Sequence, residues 1–152
     1  MQVLIMRHGQ AVPQAPSDAE RSLTARGEEE AWAQGNWLKS QGLVPSRLFV
    51  SPYRRTRQTA AQVGAAFANV EPVTLDELTP SGNLQAVTDL IHGYLGSDET
   101  LLLVSHMPLV AYLVEALVPG QAPLAFATGQ IIWLQEEQGR LRIQAQRLPS
   151  LG

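Results

Sequence analysis

Two runs of consecutive apolar residues, Val3-Leu4-Ile5-Met6 and Leu101-Leu102-Leu103-Val104, constrain the fold of this chain more than any other feature. A strand that is apolar at every position, rather than at alternate ones, has to be covered on both faces. Each run is soon bounded by polar residues, which suits a buried strand better than a helix. The chain therefore needs a sheet with helices on both sides.

The segments between the runs supply those helices. Thr24 reads as an N-cap, because Glu28, Glu29 and Glu30 place negative charge in the early turns, where the helix dipole favours it. Ala31, Gly35 and Leu38 follow at helical spacing with Trp32 beside them, and Gly42 ends the helix. Arg47 to Val50 reads as a second strand. Ser51 as N-cap and Pro52 at the first helical position predict a helix from about 52 to 68. A third strand is expected over 70–75, a third helix over 84–95, a fourth strand over 100–105 and a helix from Pro108 to about Val118. Residues 129–134 and 140–146 alternate around Gln138-Gly139 and read as a hairpin. Strands interleaved with helices imply parallel βαβ units. The expected fold is a three-layer α/β/α sandwich, with a mostly parallel sheet and an antiparallel edge.

Length and composition agree with that frame. At 152 residues the chain is expected to form one domain, residues 1–152, with a sizeable core. Hydrophobic residues make up 45% and charged residues 16%, which excludes a disordered chain. Eleven basic against 14 acidic residues give a formal charge of -3, so no general surface for nucleic acid is indicated. Any anion site must be local. The lack of cysteine excludes disulfides and thiolate zinc sites and fits a reducing compartment. Arg7 interrupts the first apolar stretch before a signal-peptide core or a membrane span forms. The chain is accordingly expected to be complete and cytoplasmic, with no membrane or nucleic-acid partner, and its tail is expected to fray from Pro149.

The chemistry gathers where strands stop. Arg7-His8-Gly9 follows the first strand, Ser51 and Arg55 follow the second, and Ser105-His106 follow the fourth. In open α/β sheets these carboxyl ends are where ligands bind. Arg55 falls in the first turn of its helix, so its guanidinium and the helix N-terminus address one anion. The planar fork of arginine matches phosphate oxygens bidentately. Two arginines beside His8 disfavour its protonated form and leave a neutral imidazole, which is a nucleophile. The chemistry that follows is in-line attack by a His8 nitrogen on phosphorus, then hydrolysis of the phosphohistidine by water. Gly9 is expected to allow close backbone approach and a turn that strains other residues.

Each part alone has a plainer explanation. Arg-His-Gly is a weak motif, His106 by itself fits a core histidine, and His92 is read as structural. Arg54 and Arg57 are read as a solvated helix face. A metal is not expected at His8 and His106, since no third ligand stands at a recognisable spacing. No cofactor is expected either.

Four elements together, Arg7-His8-Gly9, Leu23-Thr24-Ala25-Arg26-Gly27, Ser51-Pro52-Tyr53-Arg54-Arg55-Thr56-Arg57-Gln58-Thr59 and Ser105-His106, resemble the histidine phosphatase superfamily, the phosphoglycerate-mutase-like group. Their order and spacing cover most of the chain. Short length, Leu78-Thr79-Pro80-Ser81-Gly82 and the stretch from Ser105 to Pro119-Gly120 are most similar to its phosphohistidine phosphatases. The resemblance implies that His8 is the phosphorylated nucleophile, with Arg7, Arg55 and His106 completing the phosphate pocket. It sets Gly9, Gln10 and Ser105 next to substrate, Gln10 at the entrance, while Ser51 is explained as a cap.

Larger members that act on phosphate monoesters carry an acidic proton donor in a helical insert after the third strand, and this chain passes directly from Glu77 to Ser81. Lacking such a donor weakens monoester hydrolysis by roughly 10²–10⁴-fold. Phosphohistidine leaves as an easily protonated imidazole and needs less help. Glu77, and after it Asp18, are the acidic residues to test as a replacement donor. The expected function is removal of phosphate from a histidine of a signalling protein, a phosphotransfer domain, by a metal-independent enzyme that is monomeric. A phosphomonoesterase acting on a small phosphorylated molecule and a non-catalytic phosphoprotein-binding module are the alternatives. The second predicts a missing site residue, and none is missing.

Overall fold

The computed structural model describes residues 1–150, so Leu151 and Gly152 at the end of the expected frayed tail lie outside the described residues. Six strands form one sheet: β1 Gln2–Arg7, β2 Arg47–Val50, β3 Pro72–Thr74, β4 Thr100–Ser105, β5 Ile131–Glu137 and β6 Arg140–Arg147. Their order is β3-β2-β4-β1-β5-β6, with the first four parallel and the last two antiparallel. Four α-helices cover the faces: α1 Ala25–Ser40, α2 Arg54–Gly64, α3 Leu84–His92 and α4 Leu109–Leu117. The expected sandwich is the observed one, with no helical subdomain between β3 and α3.

The two apolar runs occupy the adjacent central strands β1 and β4, in register from Gln2 opposite Thr100 to Arg7 opposite Ser105. Alternate side chains go to opposite layers. Val3, Ile5, Leu101 and Leu103 pack under α3 and α4 with Ile91, Val110 and Val114. Leu4, Met6, Leu102 and Val104 pack under α1 and α2 with Ala31, Leu38 and Val63. This double burial is why neither run alternates.

Element ends depart from expectation in places that bear on the site. Helix α2 begins at Arg54, and its N-cap Tyr53 makes no side-chain cap bond. The Ser51 hydroxyl, expected to be the cap, stands ahead of the helix, accepts from the Tyr53 N–H at 3.3 Å and is engaged more closely by His106 at 2.8 Å. The same helix ends at Gly64, before a turn in which Asn69 takes a positive φ of 65°. Strand β3 is a short exposed edge, and α3 stops at His92 before Gly93 and Gly96. The hairpin begins at Ile131 because Gly129, with φ 72°, turns its N–H onto the carbonyls of both Arg7 and His8. Gln138 and Gly139 take φ of 54° and 77°, the paired positive values of a two-residue hairpin turn. Among the described residues no helix is long and apolar enough to cross a membrane.

Candidate active site

Three neighbouring strands, β2, β4 and β1, end on the same side of the sheet and deliver Ser51, His106, Arg7 and His8 to one place. The pocket there has a volume of about 290 Å³ and is lined by Arg7, His8, Gln10, Asp18, Arg55 and His106, with Arg21, Met107 and Thr128 among the others. Three residues singled out from the sequence, Gly9, Ser105 and Glu77, are not in its lining. The Ser105 hydroxyl points to the Leu78 carbonyl at 2.7 Å, bracing the turn before α3. Glu77 lies on a 3-10 turn, Asp76–Leu78, and faces a separate surface depression. Asp18 is therefore the acid at the pocket, and Glu77 is not.

His8 is buried, and the hydrogen bonds define its ring. Nδ1 lies 2.7 Å from the Gly9 carbonyl, which only accepts, so Nδ1 carries the proton. Nε2 then holds the free electron pair, and Arg55 Nε donates to it at 3.3 Å. Burial pushes the His8 pKa down to about 4, opposed by the Gly9 carbonyl and reinforced by the charges of Arg55, Arg7 and Arg21. Desolvation is thus a larger cause than the arginine charges expected to keep the ring neutral.

Of the two features expected of Gly9, the close backbone approach is present and the strained turn is not, because its φ is not positive. A Cβ there would stand 2.4 Å from the Gly27 carbonyl oxygen, and one on Gly27 would stand 2.0 Å from the Gln10 carbonyl oxygen. The loop of His8 and the first turn of α1 thus touch backbone to backbone. Thr59 of α2 accepts from the Gly9 N–H at 3.1 Å and donates to the Arg55 carbonyl at 2.7 Å, tying the His8 loop to the arginine's helix.

Arg55 is buried, and each of its three nitrogens makes one hydrogen bond, which leaves two N–H groups for a ligand. Besides His8, it donates to the Asp18 carbonyl at 2.7 Å and to the Asp18 carboxylate at 3.1 Å, and its guanidinium lies 5.0 Å from the Tyr53 ring centroid. Arg21 holds the same carboxylate at 2.8 Å and donates to the Val12 carbonyl. The Arg21 hydrogen bond first, and Arg55 after it, keep the Asp18 carboxyl below the usual carboxylate range. An ionised, doubly paired carboxylate is a poor general acid.

Arg7 donates to the Phe126 carbonyl at 2.8 Å, while its buried Nε has no partner among the described residues. Burial lowers its pKa and the nearby Glu30 carboxylate raises it. Glu30, itself buried, accepts from the Gln10 N–H at 2.7 Å and from the Thr128 hydroxyl at 3.0 Å. The sequence reading treated it as a dipole-favoured charge. Its place at helical spacing among Gly27, Ala31, Gln34 and Leu38, all buried, was the available signal. Arg21, Tyr53 and Thr128 carried none.

His106 is 5.3 Å from His8 between ring centroids and 5.0 Å from Tyr53. Its Nε2 meets Ser51 Oγ at 2.8 Å. Desolvation first, then His8 and Arg55, push its pKa down to about 3. Two neutral imidazoles and two guanidiniums line one pocket, and oxyanion binding is what such donors do.

Comparison with known proteins gives the same direction. The phosphohistidine phosphatase SixA of Escherichia coli strain K12 is 41% identical over 135 residues, covering 86% of this chain and 83% of that protein. A SixA homolog from Haemophilus influenzae is 37% identical over 148 residues, covering 88% of each. The solved structure of the protein histidine phosphatase SixA complexed with tungstate superposes with a TM-score of 0.91 at 38% identity, over 98% of this chain and 97% of that one. The model of the histidine phosphatase superfamily, branch 1, matches residues 3–80, which hold the nucleophile's loop, Arg55 and the short passage after β3. The chain belongs to the histidine phosphatase superfamily.

Proposed function

We propose that this chain is a phosphohistidine phosphatase that works through His8. The Nε2 electron pair of neutral His8 attacks the substrate's phosphorus in line. The phosphorus–nitrogen bond to the leaving imidazole breaks, and that imidazole takes a proton from solvent. Arg7, Arg55 and His106 hold the equatorial oxygens as their charge develops. Water then attacks the phosphorus of phospho-His8, releasing inorganic phosphate and returning the neutral imidazole. Gln10 lies at the pocket's edge, where the leaving side meets solvent.

The observation that carries the choice of substrate is the state of the acids. Asp18 is paired with two arginines, and Glu77 is outside the pocket. Neither offers the proton that an alkoxide needs, whereas an imidazole leaves without one held in place. The names of the two curated relatives point the same way. In this reading residues 1–152 act as one domain and as a monomer in the cytoplasm, on a phosphorylated protein such as the phosphotransfer domain of a signalling relay. The direct passage from β3 to α3, with no helical insert to close over the pocket, supports a protein substrate.

The test offers the purified protein a phosphohistidine-bearing phosphotransfer domain and a panel of sugar and nucleotide monophosphates, with His8→Ala as control. Phosphohistidine should turn over fastest and His8→Ala should be inactive. A monoester hydrolysed faster than phosphohistidine overturns the substrate assignment, and activity in His8→Ala overturns the nucleophile.

A further inference from the structure

Ser51 lies at the end of β2, fully buried, with its hydroxyl between two groups. The Tyr53 N–H donates to its oxygen at 3.3 Å, and His106 Nε2 lies 2.8 Å away. A hydroxyl has one proton to give. His106 Nε2 is the acceptor within reach of it among the described residues. If Nε2 carried a hydrogen and donated to Ser51, the serine proton would be buried with nowhere to go, at a cost of about 1–3 kcal/mol. The arrangement that satisfies the Ser51 hydroxyl runs from the Tyr53 N–H to Ser51 Oγ, and from Ser51 O–H to Nε2. The neutral ring must then carry its hydrogen on Nδ1. That atom is buried and without a partner among the described residues, in a side chain that lines the pocket.

We propose that Ser51 is a positioning residue that sets the tautomer of His106, leaving an Nδ1–H free to donate to the transferring phosphoryl group. His106 then works as a neutral donor, and it does not compete with His8 as a nucleophile. The two imidazoles, 5.3 Å apart, then share one tautomer and differ in which nitrogen the protein holds fast. On His8 the Nδ1–H is held by the Gly9 carbonyl, and Nε2 accepts only a long contact of 3.3 Å from Arg55 Nε, which the phosphoryl group displaces. On His106 the Ser51 hydroxyl holds Nε2 at 2.8 Å, and the Nδ1–H is the group without a protein partner among the described residues. What the freed N–H addresses rests on the phosphatase reading above, whereas the tautomer itself does not.

The experiment labels histidine with ¹⁵N and records long-range proton–nitrogen correlations at neutral pH, with the His106 signals assigned from their loss in His106→Gln. Wild type should show Nδ1 protonated and Nε2 bare. Ser51→Ala should lose that preference and hydrolyse phosphohistidine about tenfold more slowly, near the net value of one hydrogen bond. Ser51→Thr, which keeps the hydroxyl, should retain the preference. An Nε2-protonated His106 in wild type overturns the proposal whether or not any variant folds, and so does an unchanged tautomer in Ser51→Ala. Wild-type protein that shows the tautomer but hydrolyses no phosphohistidine overturns the substrate reading and leaves the tautomer assignment supported.

Discussion

Placing a single methyl group on Gly9 tests how the nucleophile is held. The new Cβ would lie 2.4 Å from the Gly27 carbonyl oxygen, against roughly 3.3–3.6 Å for an unstrained carbon–oxygen contact, so about 1 Å of movement is demanded. The opposing atom is backbone in the first turn of α1 and cannot rotate away. Relief must come from the loop that carries His8. Overpacking of this kind costs about 1–3 kcal/mol, which for a domain of this size lowers Tm by roughly 2–12 °C. A nucleophile displaced by about 1 Å loses on the order of 10²-fold in rate. Gly9→Ala should therefore fold and lose about two orders of magnitude in kcat/KM for phosphohistidine. Gly27→Ala presses on the same contact from the other side, with its Cβ 2.0 Å from the Gln10 carbonyl oxygen, and should behave alike. Gly64→Ala, where nothing lies within 4 Å, is the control and should be silent. The two measurements are thermal melting and steady-state turnover. A folded Gly9→Ala or Gly27→Ala within about threefold of wild-type kcat/KM would refute the backbone contact as the device that places His8.

Other outcomes follow from the same geometry. His8 and His106 have folded-state pKa values of about 4 and about 3 against an ordinary 6.5, so between those values and 6.5 the unfolded chain binds protons that the folded chain refuses. Stability should be fully present above pH 6.5 and fall as pH drops toward 4, less steeply in His8→Asn, and denaturation midpoints across that window check it; equal slopes would contradict it. Over the same window wild-type kcat/KM should hold, with its acid limb near pH 4 rather than 6.5. Glu30→Ala strips a buried acceptor from the Gln10 N–H and the Thr128 hydroxyl, so kcat/KM should drop about tenfold or more and stability by about 1–3 kcal/mol. Glu77→Gln should leave phosphohistidine turnover within about twofold of wild type, and a larger loss measured under saturating substrate would restore Glu77 as a donor.

What the sequence disclosed and what it hid divide along the distance between partners. The apolar runs at Val3–Met6 and Leu101–Val104 declare two strands buried on both faces, because that requirement is written in consecutive residues. His8, Arg7, Arg55 and His106 were legible as a set because each stands where a strand stops or a helix starts. Ser51 was misread for the opposite reason. Ser-Pro is a strong local start signal, and the hydroxyl that should have capped α2 was claimed by a histidine 55 positions away. The same holds for Asp18, a candidate proton donor by sequence, whose carboxylate is held by Arg55, 37 positions on. The need for Gly9 was foreseen, but its cause, the approach of Gly27, depends on how α1 packs. Glu30 obeyed the dipole rule and the burial pattern at once, and only the second reveals its work.

Arg7 and the Phe126 carbonyl that orients it are separated by 119 positions, and Gly129 must arrive before its N–H can bridge the carbonyls of Arg7 and His8. A chain growing from its amino end thus possesses its nucleophile almost at once and its finished pocket almost last. Through most of synthesis His8 is an exposed imidazole of ordinary basicity, with Arg7 free to swing and no buried space to discharge it. Only the stretch just before β5 closes the ring of donors. Competence should come late in biosynthesis, since a nascent chain that already carries the whole Arg-His-Gly motif still lacks the carbonyl that orients Arg7 and the N–H that bridges its loop.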